Sequence, residues 1–404
     1  MLASCLLGVF LAGLPPSLVS GPVGLLVRAG DRDCAAALVT ATLDRAPRAM
    51  VALKGPDGSP VPAQVRREGS RLLVSWVVPA VSKGQTLRYS LDVGRAPEPA
   101  PGISVKRVGA DVEVRVGADL FARYDATTGP NKPYFHPIFA PGQKMVVRGW
   151  PVARSEVDQT QDHPHHRGLW FTHGSVDGVD YWSEGARTGR TVPASYSDLV
   201  SGPVYGGFTA KTEWRAPDGA KVAEDVRTFR FYATPNARIM DVDIVLRPNG
   251  RPLTFGDTKE GSFGLRVADT LRVADEKGRK LEGHIETSMG VKDGAAWGKR
   301  AEWVDYWGPV GGETVGVAIF DHPESFRHPT TWHVRDYGLF AANPFGIHDF
   351  ERGQPRGAGD LVLQPDQKLH LRYRVVFHKG GTAEAKIADL WNAYAHPPTV
   401  SIER

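Results

Sequence analysis

The chain of 404 residues is 41% hydrophobic and 23% charged, so it can bury a sizeable core and is not intrinsically disordered. Its 45 glycines and 31 prolines indicate many turns, and its length suggests two or three domains or one large β domain with an appendage. The basic residues behind the net charge of +4 are scattered, without a run of five or more, which argues against a nucleic-acid-binding or polybasic membrane surface.

The first segment, residues 2–20, carries no charge and is largely apolar. Pro15 and Pro16 interrupt it, so it is a poor transmembrane span and better fits the apolar core of a secretory signal. Residues 2–5 also resemble a lipobox, although they lie very close to the start. We expect residues 1–21 to be a signal-like segment and the mature protein to be secreted or periplasmic, without a transmembrane span. A lipid anchor and a hydrophobic first strand are the alternatives.

Residues 22–100 alternate short apolar runs with turn clusters. Residues 72–78 and 87–93 have the length and the β-branched and aromatic content of strands. Residues 95–102 contain three prolines, which remove hydrogen-bond donors and fix the backbone, so this segment is predicted to be an extended linker. The sequence therefore predicts a small β-sandwich domain over residues 22–100.

The rest of the chain continues as strands and turns. Alternating apolar residues predict strands within residues 105–116 and 228–246, and residues 315–320 and 369–377 are two further strand-like runs. Almost no helical periodicity intervenes. This density of strands favours an all-β sandwich or barrel.

One helix is predicted near the end of the chain, at residues 383–394. Ile387, Leu390, Trp391 and Tyr394 recur at helical spacing and form one apolar stripe. A Pro-Pro pair follows and ends the helix. We expect it to cap a sheet edge or to pack under the sandwich.

Histidines are strongly clustered: nine of the 13 fall within residues 136–173 and 322–348. The centre of the first window is the run Asp-His-Pro-His-His-Arg-Gly-Leu-Trp-Phe-Thr-His at residues 162–173. Imidazole has an unperturbed pKa of about 6.5 and can therefore donate or accept a proton near neutral pH. The run is a candidate for acid–base chemistry.

Three uses of this run stay open. They are acid–base catalysis on a polar substrate, a zinc or copper site built from His163, His165 and His166, and a hydrogen-bonded structural loop. In a strand, His163 and His165 would share one face and His166 would point to the other. No His-Glu-x-x-His motif and no cysteine ligands accompany the cluster, which disfavours metal, so we predict no cofactor.

The neighbouring charged and aromatic residues suit a sugar. Arg167 is a bidentate donor for a carboxylate or for vicinal hydroxyls. Trp170 and Trp182 offer flat apolar faces beside polar groups. The alternatives are a surface ion pair for the arginine and plain core packing for the tryptophans.

A second patch lies at residues 255–264, where Asp257, Lys259 and Glu260 are flanked by glycines. A carboxylate held near a cation is a candidate general base or nucleophile. In a strand, Glu260 would face away from the other two side chains, and a charged turn is the alternative.

A third patch lies at residues 332–346. The polar groups within an otherwise aromatic run are His333, Arg335, Asp336, Tyr337 and Asn343. Polar groups embedded in aromatic surface are typical of a pocket wall. The alternative is a hairpin with a core tyrosine.

Several common catalytic motifs are missing from the sequence. It contains no Gly-x-Ser-x-Gly elbow, no P-loop and no dinucleotide fingerprint on a strand–helix unit. Serine hydrolase, NTPase and Rossmann oxidoreductase activities are therefore disfavoured.

Five ordered motifs carry a family resemblance, at residues 131–134, 162–170, 176–182, 256–261 and 337–346. They begin with Asn-Lys-Pro-Tyr and end with Tyr-Gly-Leu-Phe-Ala-Ala-Asn-Pro-Phe-Gly. Together they resemble the DUF6807 family, over most of the chain beyond the first hundred residues.

Members of that family often carry the name PmoA or methane oxygenase. A methane monooxygenase subunit of that name is an integral membrane protein. After its first 27 residues this chain has no apolar run long enough to span a bilayer, and its mean hydropathy is −0.28. We reject the methane oxygenase reading.

The resemblance implies a fold similar to the galactose-mutarotase-like supersandwich, whose enzymes act on carbohydrates as epimerases, hydrolases or lyases. This step is an analogy of fold, and no mutarotase motif matches the chain residue by residue. We therefore predict an all-β chain with a large galactose-mutarotase-like β-supersandwich over residues 103–396, a small N-terminal β domain and one C-terminal helix.

The predicted function is an exported carbohydrate-active enzyme that uses histidine and carboxylate acid–base chemistry on a sugar. The alternatives are a non-catalytic carbohydrate-binding protein and a His-ligated copper or zinc enzyme. The expected partner is a carbohydrate and not a nucleic acid. The catalytic candidates are His163, His165, His166, His173, Asp257 and Glu260. The candidates for binding substrate are Lys132, Tyr134, Arg167, Trp170, Trp182, Lys259, His333, Asp336, Tyr337 and Asn343.

Overall fold

A computed structural model describes residues 22–44, 51–93, 102–154 and 160–403. The signal-like segment and most of the predicted linker lie outside these residues, so both stay predictions. Within the described ranges, no helix has the length and the apolar character needed to cross a bilayer.

The fold is all-β, as predicted, with 52% of residues in strands and 6% in helices. Strands β1 to β7 are Val23–Arg28, Cys34–Leu43, Val51–Lys54, Pro60–Val61, Gln64–Glu68, Arg71–Val81 and Thr86–Val93. Strands β8 to β19 are Ile103–Val108, Asp111–Val116, Asp119–Asp125, Tyr134–Ala140, Lys144–Met145, Leu169–His173, Arg190–Val200, Tyr205–Arg215, Lys221–Ala233, Ala237–Pro248, Leu253–Phe255 and Gly261–Arg266. Strands β20 to β27 are His284–Thr287, Trp303–Val310, Glu313–Asp321, Trp332–Val334, Leu339–Ala342, Leu361–Leu363, Leu369–Lys379 and Thr399–Ile402. Helices α1 and α2 are Ile347–Phe350 and Ile387–Ala395, and single 3₁₀ turns lie at Asp269–Leu271 and Asp293–Ala296.

A small sandwich forms from the first seven strands and the last one. One sheet has the order β27-β1-β7-β3-β4 and the other has the order β2-β6-β5. Trp76 and Tyr89 meet between the two sheets, with ring centroids 5.3 Å apart. Because β27 pairs antiparallel with β1, the end of the chain completes this N-terminal sandwich.

A second, larger sandwich supports the candidate site. One sheet has the order β23-β24-β19-β13-β11-β10-β9-β8, with β12 paired to β11, and the facing sheet has the order β14-β15-β16-β17-β26-β22-β21-β20. An aromatic and aliphatic core fills the space between them. Every residue of β13 and β19 is buried, so both faces of these strands are covered.

The predicted strands are largely confirmed, with two corrections. The apolar run at residues 105–116 is a hairpin of two strands, β8 and β9, because the chain turns at Gly109 with φ of +63°. The run at residues 228–246 is also two strands, β16 and β17, joined at residues 234–236. The predicted C-terminal helix is confirmed as α2.

Helix α2 joins the two sandwiches. Leu390 and Trp391 pack in one cluster with Ala36 of the small sandwich and with Tyr232 and Ile239 of the large one. Because an apolar stripe on a short helix must be covered, the predicted stripe fixes where α2 lies.

Strand register gathers the site at one end of the nine-stranded sheet. Leu169 pairs with Leu265, and Arg266 pairs with Leu339. The start of β13, the end of β19 and the start of β24 therefore lie side by side. The segments that precede β13 and β24 meet there.

Candidate functional site

The histidine run that precedes β13 is a turn and not a strand, so the predicted split of its side chains between two faces is wrong. His163 has φ of +47°, and its carbonyl accepts a hydrogen bond from the His166 backbone N–H at 3.0 Å. The His163 and His166 rings stack with centroids 4.8 Å apart, and the His165 ring meets His166 edge-on at 4.4 Å. The turn thus collects all three imidazoles in one place.

Two buried arginines hold the turn through Asp162. Arg148 Nη1 and Arg266 Nη2 lie 2.5 and 2.9 Å from Asp162 Oδ1, and neither arginine side chain is exposed. Arg148 Nη2 also donates to the backbone carbonyls of Asp162 and His163. Burial acts to raise the pKa of Asp162, but the hydrogen bond with His163 and the charges of Arg266 and Arg148 outweigh it and hold that pKa well below its usual range.

His163 is fixed on three sides. Its Nδ1 lies 2.5 Å from Asp162 Oδ2, and since an ionised carboxylate only accepts, Nδ1 carries the proton. Its ring lies between those of His166 and Tyr337, which stack at 4.8 and 5.3 Å with interplanar angles of 4° and 5°. The side chain is 43% exposed, and no residue in the described ranges hydrogen-bonds its Nε2. The Nε2 lone pair is free to take a proton.

Tyr337 belongs to the tight turn between β23 and β24. The Arg335 N–H donates to the Leu339 carbonyl at 2.8 Å, and the buried Tyr306 hydroxyl lies 3.2 and 3.0 Å from the Arg335 and Asp336 carbonyls. The Arg266 guanidinium sits 4.9 Å from the centroid of the Tyr337 ring. The turn is therefore anchored from beneath.

The Tyr337 hydroxyl stays protonated at neutral pH. Burial raises the pKa of Tyr337, Arg266 and Arg335 oppose this, and Glu260 and Asp162 add to it. The hydroxyl has no hydrogen-bond partner within the described part of the chain. It is a neutral donor beside the His163 ring.

His165 and His166 are neutral supports. Burial lowers the pKa of His165 to about 4, helped by the charge of Lys132, and burial holds the pKa of His166 well below its usual range. Arg266 Nη1 lies 3.4 Å from His166 Nδ1, and the His166 ring lies on Trp170 with centroids 5.4 Å apart. Neither imidazole carries a charge at neutral pH.

Lys132 and Arg167 are paired within the protein. Arg167 donates from Nε and Nη2 to the two carboxylate oxygens of Glu184, at 2.7 and 2.9 Å. Lys132 Nζ donates to the Trp182 carbonyl at 3.0 Å and lies 3.5 Å from Glu184. Burial lowers the pKa of Lys132 to about 8, although Glu184 opposes this. Both cations were predicted to bind substrate, but in the structure each of them pairs with Glu184.

The predicted stacking aromatics form the floor of the site. Trp170 and Trp182 are 2% and 0% exposed, so neither ring face is open to a sugar. Tyr134 is also buried, and its hydroxyl bonds to Asp125 and Thr128. These three residues do what the core-packing alternative expected.

The loop of residues 256–260 lies at the opposite end of β19 from Arg266. His173 has both ring nitrogens occupied, by the Gly256 carbonyl at 2.7 Å and the Ser262 hydroxyl at 3.2 Å, and burial lowers its pKa to about 4. Asn343 donates to the carbonyls of Thr258 and Lys259. Both side chains hold this loop and do not reach the histidine turn.

Asp257 and His333 also hold this part of the structure. Asp257 accepts backbone hydrogen bonds from His348 and Gly359, which anchors the start of α1. His333 Nδ1 donates to the Lys259 carbonyl at 2.7 Å, and burial lowers its pKa to about 4. The loop is a turn, as the alternative had it.

Glu260 and Asp336 take different positions. The Glu260 carboxylate is 37% exposed and lies 3.1 Å from Lys259 Nζ. No hydrogen bond or ion pair joins Glu260 to a histidine of the 163–173 run within the described ranges, so the predicted histidine–carboxylate pair is not in contact. The Asp336 carboxylate instead lies over Gly294, and burial together with Asp293 raises its pKa.

The metal alternative finds no support in the geometry. Rings that stack face to face point their nitrogens edgewise and cannot converge on one ion, as His163 and His166 show. In the described ranges, no group of three or more His, Cys, Asp or Glu side chains is arranged to hold a metal ion.

Several residues of the site had not been predicted: Arg148, Arg266, Glu184 and Trp297. Arg335 had been named only as one polar group of the third patch. Arg266 ends the apolar strand β19, where a charge must be paired to be buried. That signal was present in the sequence. The sequence does not show which residue pairs with Arg266, because Asp162 lies about a hundred positions away.

Comparison with known proteins establishes the family. Residues 111–392 match the family of unknown function DUF6807. The chain belongs to this family.

Solved structures give a looser likeness. An α-mannosidase from Enterococcus faecalis V583 is 10% identical with a TM-score of 0.44, over 95% of this chain and 46% of that one. A galactose mutarotase related enzyme from Lactobacillus acidophilus is 11% identical with a TM-score of 0.28, over 69% of this chain and 97% of that one. This chain thus spans about half the length of the mannosidase. Among curated proteins, none matches the sequence.

Proposed function

We propose that this DUF6807 protein is a carbohydrate-active enzyme in which His163, oriented by Asp162, transfers a proton to or from the substrate. The observation that carries the proposal is the geometry of His163. Its Nδ1 is held by a carboxylate, both ring faces are covered, and Nε2 is free. A histidine fixed in one tautomer with a free second nitrogen is a preorganised general base.

Tyr337 supplies the complementary donor. Its neutral hydroxyl is carried by the ring that stacks against His163, so the acid and the base lie on neighbouring rings. When Nε2 takes a proton, the negative charge of Asp162 stabilises the imidazolium that forms. Epimerisation, hydrolysis and elimination all need such a pair, and the geometry serves each of them.

A carbohydrate is the substrate class that the surface fits best. Sugars combine apolar ring faces with many hydroxyl groups, and they bind where half-buried aromatic rings lie beside polar side chains. Tyr337 and Trp297 are half-buried and lie beside His163 and Arg335. Because His163, Arg266 and Arg335 lie against the Tyr337 ring, this ring offers a sugar its edge and its hydroxyl and not an open face.

The test compares His163→Gln with His370→Gln on a panel of neutral and acidic mono- and oligosaccharides followed by proton NMR. NMR distinguishes an inverted centre, a new reducing end and a new double bond. We expect wild-type turnover of at least one sugar, a loss of about 10²-fold or more in His163→Gln, and no loss in the control. His370 is a matched control because it is partly exposed and pairs with Asp243 at 2.9 Å on the other sheet.

Wild-type turnover in His163→Gln would remove His163 from the mechanism. Binding of a sugar without turnover by the wild-type protein would instead identify a carbohydrate-binding protein.

A further inference from the structure

Arg335 differs from the other arginines of the site because it has no ion-paired carboxylate among the residues that the structure describes. Arg148 and Arg266 pair with Asp162, and Arg167 pairs with Glu184. The Arg335 guanidinium, by contrast, forms no ion pair or hydrogen bond with any residue in the described ranges. A half-buried guanidinium left unpaired in this way loses hydration without gaining a partner.

Two aromatic rings hold the Arg335 guanidinium. It lies 5.7 Å from the centroid of Trp297 and 5.7 Å from the centroid of Tyr337. Cation–π contacts use the face of the guanidinium and leave its N–H edges free. Those edges form the rigid fork that matches a carboxylate in bidentate geometry.

The backbone under Arg335 is fixed before any ligand arrives. The Tyr306 hydroxyl bonds to the Arg335 and Asp336 carbonyls, and the Val273 N–H donates to the Asp336 carbonyl at 2.9 Å. Gly338 closes the turn with φ of +104°. A preorganised donor loses little entropy on binding.

The attraction for an anion lies in the Arg335 guanidinium itself and not in a surplus of positive charge around it. Lys259 and Glu260 neutralise each other, and Asp162 balances only one of the two arginines that it contacts. Asp336 lies within electrostatic reach of Arg335 and of Asp293, although Arg335 forms no ion pair with it. Tyr337 stacks against His163 and also contacts Arg335, so a sugar bound beside Tyr337 lies near both.

We propose that Arg335 binds the carboxylate of an acidic sugar, so that the substrate is a uronic acid or an oligosaccharide that contains one. This inference rests on the proposed function and adds to it the substrate class. Arg335 is its specificity-determining residue. Trp297 and Tyr337 fix the orientation of the guanidinium, and His163 acts on the ring whose carboxylate Arg335 holds.

The test measures binding by isothermal titration calorimetry in the His163→Gln background, where turnover does not interfere. The probes are glucuronate and galacturonate, as mono- and trisaccharides, the matching neutral sugars, and glucose 6-sulfate. We expect a uronate to bind at least about tenfold more tightly than its neutral counterpart, which a charge-assisted hydrogen bond of ordinary strength supplies.

Three substitutions test whether the charge and the bidentate geometry of Arg335 cause the preference for a uronate. Arg335→Gln should remove the preference for the uronate, and Arg335→Lys should keep only part of it because the ammonium cannot bind in bidentate geometry. Arg251→Gln is the control, since Arg251 is 58% exposed and pairs with Asp177 away from the site, and it should keep the full preference. Thermal melting of each variant verifies the fold.

Equal affinity for uronate and neutral sugar, a preference that survives Arg335→Gln, or tighter binding of the sulfate would each overturn the carboxylate assignment. Failure of the two proposals is distinguishable. A uronate preference lost in Arg335→Gln together with undiminished turnover in His163→Gln would leave the subsite standing and remove His163 from the chemistry.

Discussion

Asp162 forms ion pairs with two guanidinium groups, those of Arg148 and Arg266, that have no exposed surface. Removing its charge leaves two like charges facing each other inside the protein. Breaking a buried pair costs about 3–5 kcal/mol, and since Asp162 itself is 31% exposed we expect Asp162→Asn to lower the free energy of unfolding by about 2–3 kcal/mol.

Urea unfolding measures this loss, with Asp44→Asn as the control. Asp44 is 90% exposed and lies 3.8 Å from Arg71, so its replacement should change stability by less than about 0.5 kcal/mol. An equal effect of the two substitutions would contradict the role given to the arginine pair. The loss would also show that the charge which orients His163 stabilises the fold.

How far the site follows from the sequence differs from residue to residue. The histidine run and Tyr337 carried their own signal, because clustered imidazoles and polar groups in an aromatic run are unusual. The sequence did not show which of these side chains are exposed. The same motifs contain His173 and Asn343, which hold a loop, and Trp170, which is buried. Only the three-dimensional register distinguishes a side chain on the surface from its buried neighbour in the same motif.

At the scale of elements, the histidine turn depends on Gly168. This residue has φ of +51°, and a Cβ there would lie 2.0 Å from the Phe135 carbonyl oxygen. The turn can therefore pass over β11 only with a glycine at this position. Gly168→Ala should cost several kcal/mol, because backbone strain and a direct clash with backbone add together.

Gly69→Ala separates the two contributions. Gly69 also has positive φ, at +59°, but a Cβ there would meet nothing within 4 Å, so the change should cost only about 1–2 kcal/mol. Chemical denaturation of both variants gives the difference. A Gly168→Ala protein no less stable than Gly69→Ala would show that β11 and the turn are not in contact as described.

Elements were predicted unevenly for a physical reason. Short runs of apolar and β-branched residues mark buried strands, and an apolar stripe at helical spacing marks a helix, which is why β22, β26 and α2 follow from their sequences. Alternation does not show where a chain reverses, and a single Gly109 divides what looked like one strand into a hairpin.

At the scale of the whole molecule, the described residues join two sandwiches through α2 and β27. The large sandwich carries the site, and its nine-stranded sheet brings residues that are far apart in sequence to one end. Separation in sequence is also why the partners of Asp162 could not be named in advance. Pairing of Arg266 with Asp162 requires β19 to lie beside β13 in one register and no other.

Buried neutral histidines give the whole protein a predictable response to acid. Burial lowers the pKa of His136, His173 and His333 to about 4 and holds that of His166 well below its usual range. In the unfolded chain each titrates near 6.5, so between about pH 6.5 and 4 the unfolded state binds more protons than the native state. The free energy of unfolding must therefore fall as pH is lowered through this window. His378 acts in the opposite sense, because Asp305 outweighs burial and raises its pKa.

Urea unfolding at pH 7.0, 6.0, 5.0 and 4.5 tests this prediction, and each buried neutral histidine can contribute up to about 1.4 kcal/mol per pH unit. His173→Gln keeps a donor for the Gly256 carbonyl but no longer titrates, so its stability should fall less steeply with acid even if it is lower at pH 7. If the free energy of unfolding falls equally steeply with acid in the wild type and in His173→Gln, His173 is not held neutral. Stability that is constant or rises between pH 6.5 and 4.5 would contradict the burial of these four histidines as neutral side chains.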